Sequence, residues 1–389
     1  MLEVKKIFRN IDWLLLGSAI FIAVAGIITM SSFLPTEAGT GGSDFSQKQI
    51  IWLLLSLTIF FTASLINWRF LRRTTTVASV FLISVFLLLL LFALGSVFGG
   101  AKSWFDLGTF AFQPTDFAKL ALILVLAKYF ARRHVEIAHI RHIIVSGLYA
   151  FIIFILVFIQ PDFGSAIIIG MIWLGMVLVS GISKRHLLLV FTIGITSVLF
   201  LWNFGFKDYQ KQRIISFLHP LADVRGAGYN AYQSTIAVGS GEFFGKGIGY
   251  GTQSKLKFLP EYRTDFIFAS FAEEWGFVGV ILFFFLYGVV IWRVLLISYK
   301  GETNFEILYG LGMSIFFISH FVVHVGMNIG ILPVTGITLP LMSYGGSHLL
   351  SEFLGLGILA GMKGYAKATH KETTLYELLD VHRSDLYSK

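Results

Sequence analysis

The stretch FLPEYRTDFIFASFAEEWG, Phe258 to Gly276, sets Glu261, Arg263 and Asp265 just ahead of an apolar run and places Glu273 and Glu274 inside it. A carboxylate in such a position can act as general base toward a hydroxyl. It can also cap a helix N-terminus, where the dipole favours an acid. Asp265 is the candidate base, and Glu261, four residues earlier, shares its face if the helix begins early. Glu273 and Glu274 would lie about 12–14 Å further along at 1.5 Å per residue. Ionised carboxylates at that depth call for partners or a water-filled cavity, and the expectation is that they line one.

Further polar residues fall at matching depth. Asp116 and Lys119 in QPTDFAKL are three apart, within reach as an intrahelical pair, and Asp162 in QPDFG opens another apolar run. His320, His324 and Asn328 recur every four residues as one polar stripe, and His348 and Glu352 form another. Such stripes are most often interhelical hydrogen-bond seams. The two histidines have metal-ligand spacing, but the motif lacks a third ligand, so any metal site stays unassigned.

The elements that must position these groups are membrane helices. With 56% hydrophobic and 13% charged residues and a mean hydropathy of +0.78, the 389-residue chain is too apolar for one soluble core. Apolar runs predict ten spans, near 12–34, 48–66, 75–98, 114–130, 143–160, 162–182, 187–206, 265–295, 306–331 and 342–362. The first reads as a span rather than a cleaved signal. Spans five and six, parted by Gln160 and Pro161, should form a tight hairpin. Lys5, Lys6, Arg9, Arg69, Arg72, Arg73, Arg132, Arg133, Arg141, Lys184, Arg185, Arg293, Lys300, Lys363, Lys367 and Lys371 all fall on one side, which places both termini in the cytoplasm by the positive-inside rule. Much of the +8 net charge is thereby explained by topology, and no nucleic-acid partner is needed. The chain has no cysteine, which excludes disulfides and thiolate chemistry. Residues 207–264, between spans seven and eight, form a large external loop carrying Arg213, Arg225, Lys255, Lys257 and Arg263. Within it Tyr229 to Val238 is helix-compatible, and the amides of the Gly-rich run Gly239 to Gly251 could face the phosphates of an anionic substrate. The whole reads as one membrane domain, 1–389, with a cytoplasmic tail over 363–389.

The blocks GAKSWFDLGTFAFQPTDFAK, QPDFGSA, YQKQRI, GAGYNAYQSTIAVGSGEFFGKG, FLPEYRTDFIFASFAEEWG and GILPVTGITLPLMSYGGS occur in order over nearly the whole chain. They resemble the signature blocks of the SEDS family (shape, elongation, division, sporulation), and the AEE and FLPE spellings are most similar to its elongation members. The resemblance implies an all-α protein of ten transmembrane helices in the bacterial cytoplasmic (inner) membrane. It also implies a peptidoglycan glycosyltransferase that polymerises lipid II at the outer face, with a class B penicillin-binding protein as transpeptidase partner. The family's essential aspartate corresponds to Asp265, its acid and lysine pair to Asp116 and Lys119, and its QPD aspartate to Asp162. Family members commonly carry Glu where this chain has Asp116, and no family role corresponds to His348 or Glu352.

In the reaction so implied, an acceptor sugar hydroxyl attacks the donor's anomeric carbon as lipid pyrophosphate departs. Asp265 would be the base, and Asp116, Lys119, Asp162, Arg213, Lys255, Lys257, Glu261 and Arg263 would line the substrate site. Positive charge for the leaving group would come from these cations or from a divalent ion, Mg or Mn. The acyl tail would lie in a groove between spans, with membrane lipid around it. Gly312, Ser314, Ser319 and Gly326 offer small positions where a partner helix could approach. The alternatives are a division-type polymerase of the same family and a lipid II flippase. Flipping requires polar groups across the full depth of the bilayer, whereas here the charges cluster at the external end, apart from the deeper Glu273 and Glu274.

Overall fold

The computed structural model describes residues 11–32, 42–98, 101–106, 108, 111–132, 139–219, 227–256, 258–259 and 261–364. Lys5, Lys6, Arg9, Arg133, Arg225, Lys257, Lys367 and Lys371 lie outside them. The chain is mostly helical. It runs α1 Trp13–Ser31, α2 Gly42–Leu65, a 3-10 turn Trp68–Arg72 and α3 Thr74–Leu94. A small antiparallel ribbon follows, β1 Ser96–Phe98, β2 Ala101–Asp106 and β3 Ala111–Phe112, paired in the order β1, β2, β3. Then come α4 Pro114–Ala131, α5 Ile140–Ile159, α6 Phe163–Val179, α7 Lys184–Phe204, α8 Asp208–Leu218, α9 Ala227–Ser240, α10 Thr252–Lys255, α11 Ile267–Tyr299, α12 Asn304–Asn328 and α13 over 346–364.

Among the described residues seven helices are long and apolar enough to cross a membrane: α1, α2 over Phe45–Leu65, α3, α5, α7, α11 and α12; α6 is a shorter apolar helix. This is a multi-pass membrane protein. α4 is excluded by its charges rather than by its packing, because it is the central helix and is buried around nearly its whole circumference. That position allows it to carry Asp116 and Lys119 into the interior. Helices α5 and α6 pack side by side after the Gln160 to Asp162 turn, the tight hairpin that the spacing predicts. In contrast, α7 has no buried residue at all and stands clear of the bundle.

Charge marks the two ends. At one end Asp12 accepts from Arg293 at 2.5 and 3.0 Å and from Lys363 at 2.8 Å, which ties α1, α11 and α13 together. Arg72 likewise pairs with Glu302 at 2.5 Å and Glu306 at 2.8 Å. The basic residues used to infer topology therefore also stitch helix ends. The segment between α7 and α11 is not one loop, because it folds into α8, α9 and α10, with α9 packed on α11.

Two expectations are corrected by the fold, and one long helix is interrupted. Helix α11 begins at Ile267 after a turn over 261–266 in which Glu261 has φ +47°, so Glu261 and Asp265 do not share a helical face. Gly312, Ser314, Ser319 and Gly326 are turned inward: Gly312 faces Ile123 and Met176, Gly326 faces Leu332, and both serines are buried. They let the chain's own elements approach and leave no face for a partner. Finally, α11 breaks at Gly276 (φ 66°, ψ −168°) to receive the backbone of Gly245. A side chain at Gly276 would collide with the Gly245 amide, so glycine is required here for both conformation and close approach.

Candidate active site

The first half of the site is built on α4. Pro114 at the helix start and Asp116 in its first turn suit a helix N-terminus. One turn on, Lys119 reaches back to Asp116 Oδ1 at 3.3 Å, the predicted pair, and both side chains are 2% exposed. Neighbouring helices complete their coordination. His348 Nδ1 donates to the same Asp116 oxygen at 3.2 Å, and Ser347 Oγ donates to Oδ2 at 3.3 Å. Lys119 Nζ also stands 3.5 Å from His320 Nε2, whose ring is held by Nδ1 donating to Thr338 O at 3.2 Å. The polar stripe on α12 is thus a hydrogen-bond seam, as its spacing predicts. His324 Nδ1 donates to Ile337 O at 2.8 Å, and Asn328 bonds the chain near Asp265.

The second half is the turn that carries Asp265. The helix-cap alternative fails, because Phe266 occupies the N-cap of α11 and no side chain of the turn caps it. Asn328 supplies instead what a cap would, taking the Ala269 amide at 3.2 Å and donating to the Asp265 carbonyl at 3.0 Å. The Asp265 carboxylate is therefore not spent on capping, and it is hydrogen-bonded by the neighbouring Thr264. It lies beside Gly336 with Arg213 close by: a Cβ on Gly336 would be 3.4 Å from Asp265 Oδ2 and 3.9 Å from Arg213 Nη1. Gly336 has φ +73°, and its lack of a side chain keeps this space open. Asp265 precedes the membrane helix, and burial together with the nearby Glu261 pushes its carboxyl up from 3.8 to about 7, against the pull of Arg213. Asp162 connects the halves. It caps α6 by accepting from Ser165 N at 3.0 Å, takes Gln113 Nε2 at 3.2 Å, and sits in the electrostatic field of Lys119, Asp116 and Asp265.

Arg213 also borders a cleft of about 180 Å³ between α8, α9 and the 329–334 segment, lined by Phe217, Tyr232, Leu332 and Val334. It donates to Thr335 O at 3.3 Å, which fixes the guanidinium between the apolar cleft and Asp265.

Several candidate residues lie elsewhere or act differently. Lys255 is exposed at the end of α10, and Lys257 lies outside the described residues. The Arg263 guanidinium stacks 4.4 Å from the Phe45 ring and 4.8 Å from the Tyr262 ring. Glu261 bears on Asp265 through its charge and accepts from Thr264 Oγ1 at 3.1 Å. Glu273 and Glu274 are buried, and they clamp the Gly-rich segment. Glu273 Oε1 accepts from Lys246 Nζ at 2.8 Å, Thr252 Oγ1 at 3.0 Å and Gln253 N at 3.1 Å. Glu274 Oε1 accepts from Ser32 Oγ at 2.6 Å and Gly249 N at 2.7 Å. The amides of Lys246 and Gly247 donate to the carbonyls of Glu273 and Glu274, both at 3.0 Å. These amides are therefore engaged in fixing the Gly-rich segment and do not offer a phosphate cradle. Sequence reasoning missed this clamp and also the His348 and Glu352 network. The adjacent acids and the one-turn spacing were visible, but their partners lie far away along the chain.

No three His, Asp or Glu side chains are arranged to hold a metal ion among the described residues.

The FtsW/RodA/SpoVE family model, described as cell cycle protein, matches residues 9–368. The peptidoglycan glycosyltransferase MrdB of Escherichia coli K12 is 39% identical over 292 residues, covering 75% of this chain and 79% of that one. A chain from a solved peptidoglycan synthase complex, in which polymerization and crosslinking are coordinated, superposes with a TM-score of 0.77 at 29% identity, covering 91% and 98% of the two chains. The rod shape determining protein RodA of Thermus thermophilus gives a TM-score of 0.67 at 28% identity, covering 90% and 96%. With its polar interior and carboxylate turn set in this fold, the chain belongs to the FtsW/RodA/SpoVE (SEDS) family, on its RodA side, and is a peptidoglycan glycosyltransferase.

Proposed function

We propose that the chain polymerises lipid II during cell elongation at the outer face of the bacterial cytoplasmic membrane, with Asp265 as general base. The acceptor hydroxyl gives its proton to the Asp265 carboxylate while its oxygen bonds to the donor's anomeric carbon. The bond from that carbon to the pyrophosphate oxygen breaks, and lipid pyrophosphate leaves as an anion. Arg213 and Lys119 stabilise the departing charge. Asp116 and Asp162 hold Lys119 and the α6 end in place, and Lys255, Lys257, Glu261 and Arg263 border the head-group approach. The observation that carries this reading is the uncapped Asp265 carboxylate beside Arg213 and the open space at Gly336. The Arg213 cleft, apolar on its walls, suits the start of a lipid tail. A divalent cation, Mg or Mn, would arrive with the pyrophosphate rather than be held by the chain.

Ten spans in one domain follow if α4, α6 and α13 are added to the seven long helices, with the ion-paired end and both termini cytoplasmic. A class B penicillin-binding protein is the proposed partner, supported by the relative from a complex that polymerises and crosslinks. Its membrane helix would dock on an outward face of the bundle, since the small residues of α12 are already covered.

The test is the rate of glycan formation from lipid II by purified protein, with products resolved on a gel. Asp265→Asn should fall about 100-fold or more, and Glu261→Gln should fall far less. Wild-type product ladders from a folded Asp265→Asn protein would remove the base and favour the flippase alternative.

A further inference from the structure

His348 and Glu352 take no part in the proton transfer or in leaving-group stabilisation, yet they occupy the junction between the two halves of the site. They sit one turn apart on α13, are 4% and 0% exposed, and their side chains meet with His348 Nε2 2.8 Å from Glu352 Oε1. The other ring nitrogen, Nδ1, donates to Asp116 Oδ1 at 3.2 Å. Nδ1 is hydrogen-bonded to one carboxylate and Nε2 stands within ion-pair distance of a second, without hydrogen-bond alignment, a setting that favours a positive ring. Asp116, Lys119, His348 and Glu352 then balance in charge, which a buried cluster requires. The second oxygen of Glu352 accepts the Leu341 amide at 2.8 Å, at a residue held in left-handed backbone with φ +66°.

The Leu341 turn is in turn bonded to the segment that bears the base. Ser343 Oγ donates to Thr264 O and Tyr344 N to Arg263 O, both at 2.9 Å, which secures the carbonyls of the two residues before Asp265. A path of contacts therefore leads from Lys119 through Asp116 and His348, across the ion pair of His348 with Glu352, and by hydrogen bonds through the Leu341 turn to the Asp265 turn. The Asp116 to Lys119 contact at 3.3 Å is long for a charge-assisted bond, which usually spans about 2.7–2.9 Å. The His348 and Ser347 contacts, at 3.2 and 3.3 Å, are equally long, so Lys119, His348 and Ser347 orient Asp116 together.

We infer that His348 and Glu352 are positioning residues: they lock the Asp116 and Lys119 pair to the turn carrying Asp265, so that the leaving-group cation and the base keep a fixed separation. This rests on the roles proposed above for Asp265 and Lys119. Neither residue touches a reacting atom. A displacement of about 1 Å between two reacting centres can cost up to about 100-fold in rate.

The test compares kcat and KM for lipid II, with melting temperature, in purified His348→Ala, Glu352→Gln and the double variant, alongside Asp265→Asn. Glu352→Gln keeps the shape and can still accept from Leu341, so it carries the test if His348→Ala does not fold. The expected result is a loss of about tenfold or more in kcat for each single variant, KM within about threefold, and a double variant no slower than the worse single. Wild-type kcat in folded single variants, with Asp265→Asn inactive, would overturn the inference and leave the site reading standing. Losses that multiply in the double variant and follow melting temperature would also overturn it, by reducing both residues to packing. An active Asp265→Asn would remove the site reading and this inference together.

Discussion

If Asp265 is kept at its post for chemistry, the fold should bear a cost for it, and replacing it should stabilise the protein. Its carboxyl is pushed from 3.8 to about 7, so between those values the folded state holds a proton that the unfolded chain releases. Stability therefore falls as pH rises through that window. At about 1.4 kcal/mol per unit the full penalty is about 4 kcal/mol above pH 7, and the partly buried setting of the side chain reduces it to about 2–4 kcal/mol. Asp265→Asn removes the penalty without changing shape, and the α11 cap is unaffected because Asn328 provides it. Thermal unfolding followed by tryptophan fluorescence in detergent should show equal melting temperatures for wild type and Asp265→Asn near pH 4. The variant should gain an advantage that grows with pH and levels off above about pH 7.5. A wild type as stable as the variant at pH 8 would refute the reasoning.

The same raised carboxyl predicts that the polymerisation rate falls about tenfold per unit below pH 7, as the base is protonated; a rate flat from pH 5.5 to 8 would contradict it. Gly276→Ala should destabilise by about 2 kcal/mol or more, because a positive-φ position that meets Gly245 cannot take a Cβ, and melting temperature checks it. Asp12→Asn should lower the melting temperature through loss of about 1–3 kcal/mol, since Arg293 and Lys363 lose the carboxylate they hold at about 2 despite its burial. For topology, cysteines at exposed Gly239 and at Lys184 should differ in labelling by an impermeant reagent in intact cells, with only the first reacting; equal labelling would overturn the assignment of sides.

What the sequence made legible follows the range of each interaction. Asp116 and Lys119 could be paired because three residues of helix fix their distance, and the α12 stripe could be read because its periodicity is local. Composition and motif order were enough to identify the fold class and the enzyme family. The start of α11 was placed two residues early, since nothing local reveals that Asn328, 63 residues away from Asp265, supplies the cap. Glu273 and Glu274 looked like cavity residues because depth was the only quantity available. Their partners, Lys246 and Gly249, belong to a segment whose docking depends on the break at Gly276. The link from His348 to Asp116 spans 232 positions, and no spacing rule reaches that far.

The most direct test of the central claim is to measure lipid II affinity and turnover on the same Asp265→Asn preparation. The account predicts affinity within about threefold of wild type and turnover reduced about 100-fold or more, the signature of a group needed only in the transition state. Turnover at the wild-type rate, or a loss explained wholly by weakened lipid II binding, would contradict the assignment of Asp265 as the base.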